Sequence, residues 1–328
     1  MSFKCKKYTI TENHTNKRID RVIRSFFPDM PMSAVYKNLR TKNIKLNGNR
    51  AKENMKVKEG DILEIYIKDD IQDKPKDSNG VDYKKLKESP FFKKNFKVLF
   101  EDKDILVLDK PAGVAVHPGT DHYHGRTMLD LARAHTGECD FPPTLVHRLD
   151  LGTSGVLLFA KNNLSLQNLN KQMKEKSTTK KYYALVNGNI KEDKGTIKVA
   201  LERTQGNQKS TKIIISKGGK NAKMSITHFE VVKRFGDIAT LISVTLETGR
   251  MHQIRVHMKS QSHELWGDEH YGDFNKNREI SKNFGLKRIF LHSYFLEFTH
   301  PKTEKKIKIN SELPEELENV LNKLDSEV

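Results

Sequence analysis

The segment His147-Arg148-Leu149-Asp150-Leu151-Gly152-Thr153-Ser154-Gly155, running directly into Val156-Leu157-Leu158-Phe159-Ala160-Lys161, constrains this chain more than any other stretch. It sets one carboxylate between a cation two residues earlier and a tight glycine turn, at the mouth of an apolar strand. A paired aspartate held at a strand mouth suits covalent or electrostatic chemistry.

From about residue 91 onward the pattern is mixed α and β. Ile105-Leu106-Val107-Leu108 reads as a buried strand that stops at Lys110-Pro111-Ala112-Gly113, where proline and glycine force a turn. Thr127 is placed to cap a short helix carrying Leu129 and Ala132, and Leu166, Leu169 and Met173 stripe the helix after the 156–159 strand. Ile238, Thr240, Ile242, Val244 and Leu246 alternate with Ala239, Leu241, Ser243 and Thr245, which predicts a long strand with one strongly apolar face. The order predicts an α+β fold, a sizeable mixed sheet with helices packed on it.

Residues 1–68 read as a separate, compact basic unit. Ile19, Val22, Ile23, Phe26 and Phe27 recur at helical spacing, with Arg18, Arg21 and Arg24 on the wetter side. Ser33 is positioned to cap a second helix with Val35 and Leu39 inward and Lys37 and Arg40 outward. Ile44 and Leu46 alternate with Lys45 and Asn47, Asn47-Gly48 signals a turn, and Leu63, Ile65 and Ile67 line one face of a strand. Residues 69–90 are polar, charged and poor in apolar side chains, and read as a linker.

Lys and Arg number 59 against 42 Asp and Glu, a net charge of +17 that attracts polyanions, and nucleic acid is the commonest of these inside a cell. Cys5 and Cys139 do not form a disulfide framework, no apolar run follows the first charges, and no stretch approaches membrane-spanning length. The expectation is a cytoplasmic chain acting alone, without a membrane.

Arg18-Ile19-Asp20, Pro31 through Lys37, Lys45-Leu46-Asn47-Gly48 and Glu59-Gly60-Asp61 resemble an S4 RNA-binding domain. The remainder, over roughly 95–305, resembles the RluA-type RNA pseudouridine synthases in several ordered blocks. These are Leu108 to Gly119, His147 to Lys161, Lys180 to Gly188, Thr248 to His257, Gly267 to Gly272, and Leu291 to Pro301. The resemblance implies an S4 domain over 1–68 and, over 91–328, a catalytic domain whose mixed sheet is largely antiparallel and flanked by helices and loops. It also implies conversion of chosen uridines in RNA to pseudouridine. The front unit looks most like members acting on large-subunit (23S) ribosomal RNA, with tRNA as the alternative substrate. A non-catalytic RNA-binding or ribosome-assembly protein is the rival from another class.

That reaction breaks the C1′–N1 bond, turns the uracil and joins C5 to C1′. It needs a carboxylate beside the sugar, an acceptor for the C5 proton and a dry pocket; no redox step occurs, so no cofactor is demanded. By the resemblance, Asp150 is the catalytic aspartate, acting at sugar, base or C2′. Arg255 pairs with it and keeps it ionised, and Tyr182 stacks on the uracil and helps move the C5 proton. Strand alternation alone leaves either Tyr182 or Tyr183 facing inward. If 251–259 is helical, Met251, Ile254 and Met258 form its packed side and His252 and Arg255 share another. Arg148 fills the place of an extruded uridine, binds phosphate, or braces Asp150. Arg18, Arg21, Lys37, Arg40, Lys45 and Arg50 in the front unit, and His117, Arg250 and His252 in the second, are the remaining candidate RNA contacts. His117, Asp121, His122 and His124 cluster and read as an exposed loop near the cleft, and the five-residue separation of His252 and His257 suits neither one helical face nor one strand face, with no Cys pair to join them, so no metal is expected. The stretch Ser262-His263-Glu264-Leu265-Trp266-Gly267 departs from the family's usual Gly-His-Pro, which puts the local loop shape in question.

Overall fold

The computed structural model describes residues 3–27, 30–68, 80–119, 124–137, 139, 141–205, 211–216, 218–219 and 221–327. Near the N-terminus, strand β1 (Phe3–Thr9) leads through a 3-10 turn to helices α1 (Ile19–Phe26) and α2 (Met32–Arg40), followed by β2 (Ile44–Leu46), β3 (Asn49–Arg50) and β4 (Ile62–Lys68). The strands form a sheet in the order β1-β4-β2-β3. Its core unites Ile19, Val22, Ile23 and Phe27 with Val35, Leu39, Ile44, Leu63 and Ile65, as the helical and alternating spacings require, while Phe26 is only partly buried. Asn47 and Gly48 both adopt positive φ (52° and 75°), the backbone that lets two residues join Leu46 to Asn49. Ser33 does not cap α2. Pro31 holds the cap position in an extended conformation, and Ser33 falls inside the first turn.

Of the expected linker, residues 69–79 lie outside the described residues. Its second half is ordered differently from the expectation: α3 (Tyr83–Glu88) and α4 (Pro90–Asn95) are capped by the Asp82 and Ser89 side chains, and Leu86, Phe91, Phe92 and Phe96 pack on the main core. A few apolar anchors at helical spacing suffice here because a large core is already there to receive them.

The larger unit continues with β5 (Val98–Glu101), β6 (Ile105–Lys110), α5 (Met128–Thr136), β7 (Thr144–Leu145), β8 (Ser154–Ala160), α6 (Asn163–Glu175) and β9 (Thr179–Asn187). It is completed by β10 (Lys194–Gln205), β11 (Thr211–Ile215), β12 (Lys223–Phe235), β13 (Ala239–Leu246), α7 (Gln253–Ser260), α8 (Phe274–Phe284), β14 (Leu291–Thr299), β15 (Lys306–Asn310) and α9 (Glu315–Glu327). Among the described residues these strands make one 11-stranded sheet, ordered β11-β10-β12-β13-β9-β14-β8-β6-β5, with β15 against β14 and β7 against β8. The pairs are antiparallel except β14 with β8, so the sheet is mixed and largely antiparallel. Thr127 caps α5 in a reciprocal capping box with Asp130.

β8 is buried along its whole length because both faces are covered. β13 departs from the one-faced expectation for the same reason. Ile242, Val244 and Leu246 enter the main core, while Ala239 and Leu241 pack on the other face with Trp266, Phe284 and α9, and Ile238 is left exposed in the turn. Gly155 has φ 112°, and a Cβ there would overlap the Ser293 carbonyl; only glycine lets β14 lie this close beside the end of the 147–155 segment. No described helix is long and apolar enough to cross a membrane.

Candidate active site

Asp150 sits on the turn between buried Leu149 and β8, held from beneath by buried Lys110 and half-buried Arg288. Lys110, fully buried, donates from Nζ to the carbonyls of Pro111, Leu151 and Thr153 at 2.9, 3.1 and 2.7 Å. Three acceptors match the three protons of an ammonium, although burial and the nearby Arg288 push its pKa down to about 7, with Asp150 acting in the other direction. Arg288 reaches the Gly152 carbonyl at 3.3 Å and the Ser154 hydroxyl at 3.1 Å, and its Nε pairs with Glu316 at 2.9 Å. The backbone that carries Asp150 is therefore fixed by side chains from β6 and from the segment before β14.

Arg255, on α7, is anchored first by a residue that sequence reasoning did not single out. Its Nε and Nη2 donate to the two carboxylate oxygens of Asp268 at 2.8 and 2.7 Å, and only Nη1 reaches Asp150 Oδ2, at 3.4 Å. The Asp268 side chain is 0% exposed against 24% for Asp150, so the tight pair is structural and the looser carboxylate faces the cavity. Burial alone would lower the Arg255 pKa, but the hydrogen bonds and charge of Asp268, helped by Asp150, raise it. Burial likewise opposes ionisation of Asp268, and the guanidinium together with the Tyr271 and His270 amides holds its carboxyl below the usual range.

His252 has left-handed backbone (φ 53°) at the start of α7, and its Nε2 lies 3.7 Å from Asp150 Oδ2. Its Nδ1 is 2.9 Å from the Tyr271 hydroxyl, which accepts from the Ile213 amide at 3.1 Å. A Tyr271 hydroxyl that donates to Nδ1 leaves the imidazole proton on Nε2, the tautomer that turns an N–H toward the Asp150 carboxylate. Burial, with Arg255 and His270, pushes the His252 pKa down to about 4, against the pull of Asp150, so the ring is neutral near pH 7. His147 behaves alike: burial pushes it down to about 3, and Nε2 accepts from the Leu158 amide at 3.2 Å.

On β9, Tyr182 faces this site and is 6% exposed, whereas Tyr183 lies on the opposite face, stacked on Tyr294 at 3.9 Å. Burial pushes the Tyr182 phenol up to about 12 despite a hydrogen bond with Ser293, so it stays protonated at neutral pH. The residues meet around a cavity of about 390 Å³, within the range of small-ligand sites. Its lining includes Arg148, Asp150, Tyr182, Arg250, His252 and Arg255, and Asp150 is the sole lining carboxylate among the described residues.

Arg148 and Arg250 are exposed at the cavity mouth, which gives them access to a polyanion. Met251, expected on the packed side of the helix, instead precedes α7 and lies exposed on the cavity lining, while Ile254 and Met258 are buried. His117 and His124 are exposed, and His117 does not line the cavity; Asp121 and His122 lie outside the described residues. In the front unit Arg21, Lys37 and Arg40 are exposed and Arg50 donates to the Arg40 carbonyl. Arg18 is committed to Asp20 at 2.8 Å, and Lys45 lies over the Tyr66 ring at 5.2 Å. The segment 262–267 runs from a turn at Ser262 (φ 61°) to a second turn at Trp266-Gly267: between them Asn187 donates to Glu264, Trp266 donates to Leu185, and buried Trp266 packs on Phe284.

Away from the cavity, Asp102, Asp104 and His300 approach one another. His300 Nδ1 accepts from the Lys302 and Thr303 amides, so Nε2 donates to Asp102 at 2.8 Å, and Asp102 Oδ1 accepts from the Asp104 and Ile105 amides. With both ring nitrogens engaged, the His300 imidazole has no free lone pair to offer a metal.

Residues 104–260 match the family model described as RNA pseudouridylate synthase. The chain is 35% identical over 322 residues to ribosomal large subunit pseudouridine synthase C of Buchnera aphidicola subsp. Acyrthosiphon pisum, covering 95% of each. It is 34% identical over 315 residues to the enzyme of the same name in Vibrio vulnificus, covering 96% of this chain and 95% of that one. Among solved structures, human RNA Pseudouridylate Synthase Domain Containing 1 superposes with a TM-score of 0.55 at 27% identity, covering 67% of this chain and 84% of that one.

Proposed function

The chain belongs to the RluA-type family of RNA pseudouridine synthases, and we propose that it isomerises selected uridines of large-subunit ribosomal RNA through Asp150, Tyr182 and Arg255. The observation that carries this reading is the lone Asp150 carboxylate, among the described residues, in a cavity whose other charged lining groups are the cations Arg148, Lys174, Lys180, Arg250 and Arg255. As the C1′–N1 bond breaks, positive character develops at C1′ and electron density moves onto the uracil. Asp150 faces the sugar; Arg255, fixed from behind by Asp268, keeps it oriented without neutralising it, because its tight bonds go elsewhere. The freed uracil turns against the Tyr182 ring, C5 bonds to C1′, and the C5 proton leaves as N1 gains one, so the product is an isomer.

The protonated Tyr182 hydroxyl accepts that proton only while passing its own onward, and its hydrogen bond with Ser293 supplies the route. A uridine stacked in RNA must first be extruded, at about a few kcal/mol, and Arg148 at the mouth is placed to occupy the gap or hold the flanking backbone. The large-subunit substrate is supported by the names of relatives that align over nearly the whole chain, front unit included, and by the exposed cations Arg21, Lys37 and Arg40 there.

The test is incubation of unmodified large-subunit rRNA transcript with the purified protein, followed by carbodiimide mapping. Wild type introduces pseudouridine at discrete positions and Asp150→Asn introduces none while still binding the transcript. Turnover by Asp150→Asn refutes the assignment.

A further inference from the structure

Lys180, the second residue of β9, shares a face with Tyr182 and lines the cavity. It is half-buried, and among the described residues its Nζ has neither a hydrogen bond nor an ion pair. Desolvation lowers its pKa, with no anion to offset it. The other lining charges supply no free counter-ion: Lys174, Arg148 and Arg250 are cations, and Asp150 is engaged by Arg255 and approached by His252. An ammonium held this way destabilises the fold, and Lys is a compact charge whose stem would reach water if the site did not constrain it.

Its position says which anion completes it. Tyr182, two residues further along the strand, is deep in the cavity, whereas Lys180 lies beside Gly249 on the exposed rim with Lys174 and Arg250. Its Nζ is 3.5 Å from where a Gly249 Cβ would stand, so the absent side chain leaves the ammonium open toward the mouth. A nucleotide with its base against Tyr182 and its sugar at Asp150 leaves its phosphate at this level.

We propose that Lys180 binds a non-bridging phosphate oxygen of the nucleotide whose base enters the cavity, holding the extruded uridine in place. The inference rests on the reading of the cavity as a uridine-isomerising site and adds a substrate-positioning residue to it. Lys180 acts as a point charge at the mouth, while Arg255 orients the carboxylate deeper in.

The experiment measures binding of unmodified large-subunit rRNA transcript across a salt series, in an Asp150→Asn background so that no turnover intervenes, with and without Lys180→Met. Lys180→Met is expected to weaken binding about tenfold and to flatten the slope of log affinity against log salt by about 0.7 to 0.9, the signature of one lost phosphate contact. Lys180→Arg restores most of the affinity. The melting temperature of Lys180→Met stays level or rises, since a poorly solvated charge is removed; a purely structural lysine would lower it. Unchanged affinity and slope overturn the proposal, as does a slower isomerisation by Lys180→Met in otherwise wild-type protein with the slope intact, which would direct the ammonium to the uracil. Failure of wild type to isomerise the transcript would instead reject the functional reading, and the affinity comparison separates the two failures.

Discussion

Asp268→Asn is the perturbation that most directly probes how the cavity is built. Asp268 Oδ1 accepts from Arg255 Nη2 at 2.7 Å and from the His270 and Tyr271 amides at 2.9 and 3.1 Å, while Oδ2 accepts from Arg255 Nε at 2.8 Å. An asparagine can keep its carbonyl at the first position only by turning its NH2 toward the Arg255 Nε–H, two donors face to face. Turning the other way strands both amides and Nη2. One charged hydrogen bond is lost, about 1.5–3 kcal/mol, and a guanidinium whose side chain is 9% exposed loses its only fully buried counter-charge. Breaking such a pair from one side costs roughly 3–5 kcal/mol, which for a unit of this size lowers the melting temperature by about 6–20 °C. Arg255 is then free to tighten on Asp150, so isomerisation under single-turnover conditions falls about a hundredfold with little change in RNA affinity. Denaturant unfolding and single-turnover carbodiimide assays check both parts. A variant within about 1 kcal/mol of wild type that isomerises at the normal rate would refute the claim that Asp268 positions Arg255.

The buried histidines make stability fall in mild acid. His252 and His257 titrate at about 4 and His147 at about 3 when folded, against 6.5 otherwise, so from pH 6.5 down to about 4 the unfolded chain takes up protons the folded one refuses. Each contributes roughly 2–3 kcal/mol across that window; equal unfolding free energies at pH 7 and about pH 5 would contradict it, and replacing His257, whose two ring nitrogens have no partner among the described residues, by Gln should reduce the drop. Replacing exposed Arg21, Lys37 and Arg40 together by Ala should weaken rRNA binding and flatten its salt slope by about two units, and an unchanged slope would remove those residues from the interface. Lys110→Met strands three carbonyls under Asp150. It should destabilise by about 2–4 kcal/mol and slow isomerisation; a full rate in a destabilised protein would show that the Asp150 turn holds its shape without the lysine.

Local pattern made much of this molecule legible. The α1 spacing, the Asn47-Gly48 reversal, the Thr127 cap and the apolar runs 105–108 and 156–159 all follow from interactions within a few residues. Tyr182 or Tyr183 was undecidable from alternation because both faces of β9 are covered, one by the cavity and core and the other by Tyr294. Asp268, Lys110, Arg288 and Lys180 were missed for a common reason. Each is an ordinary polar residue whose burial depends on chain brought from far away, as Lys110 on Leu151 and Thr153, or Arg288 on Gly152 and Ser154. The Gly267-Asp268 pair did stand within a block of family resemblance, and that was the one available signal. Ser33 and residues 83–90 went otherwise than expected because a proline pre-set one helix start and an existing core captured a few apolar anchors.

The role of Asp150 in making pseudouridine in ribosomal RNA can be tested in cells. The most direct measurement compares carbodiimide maps of rRNA and tRNA from cells lacking this gene, restored by wild type or by Asp150→Asn. Large-subunit marks should disappear on deletion and return only with wild type. Marks restored by Asp150→Asn, or marks lost solely from tRNA, would contradict it.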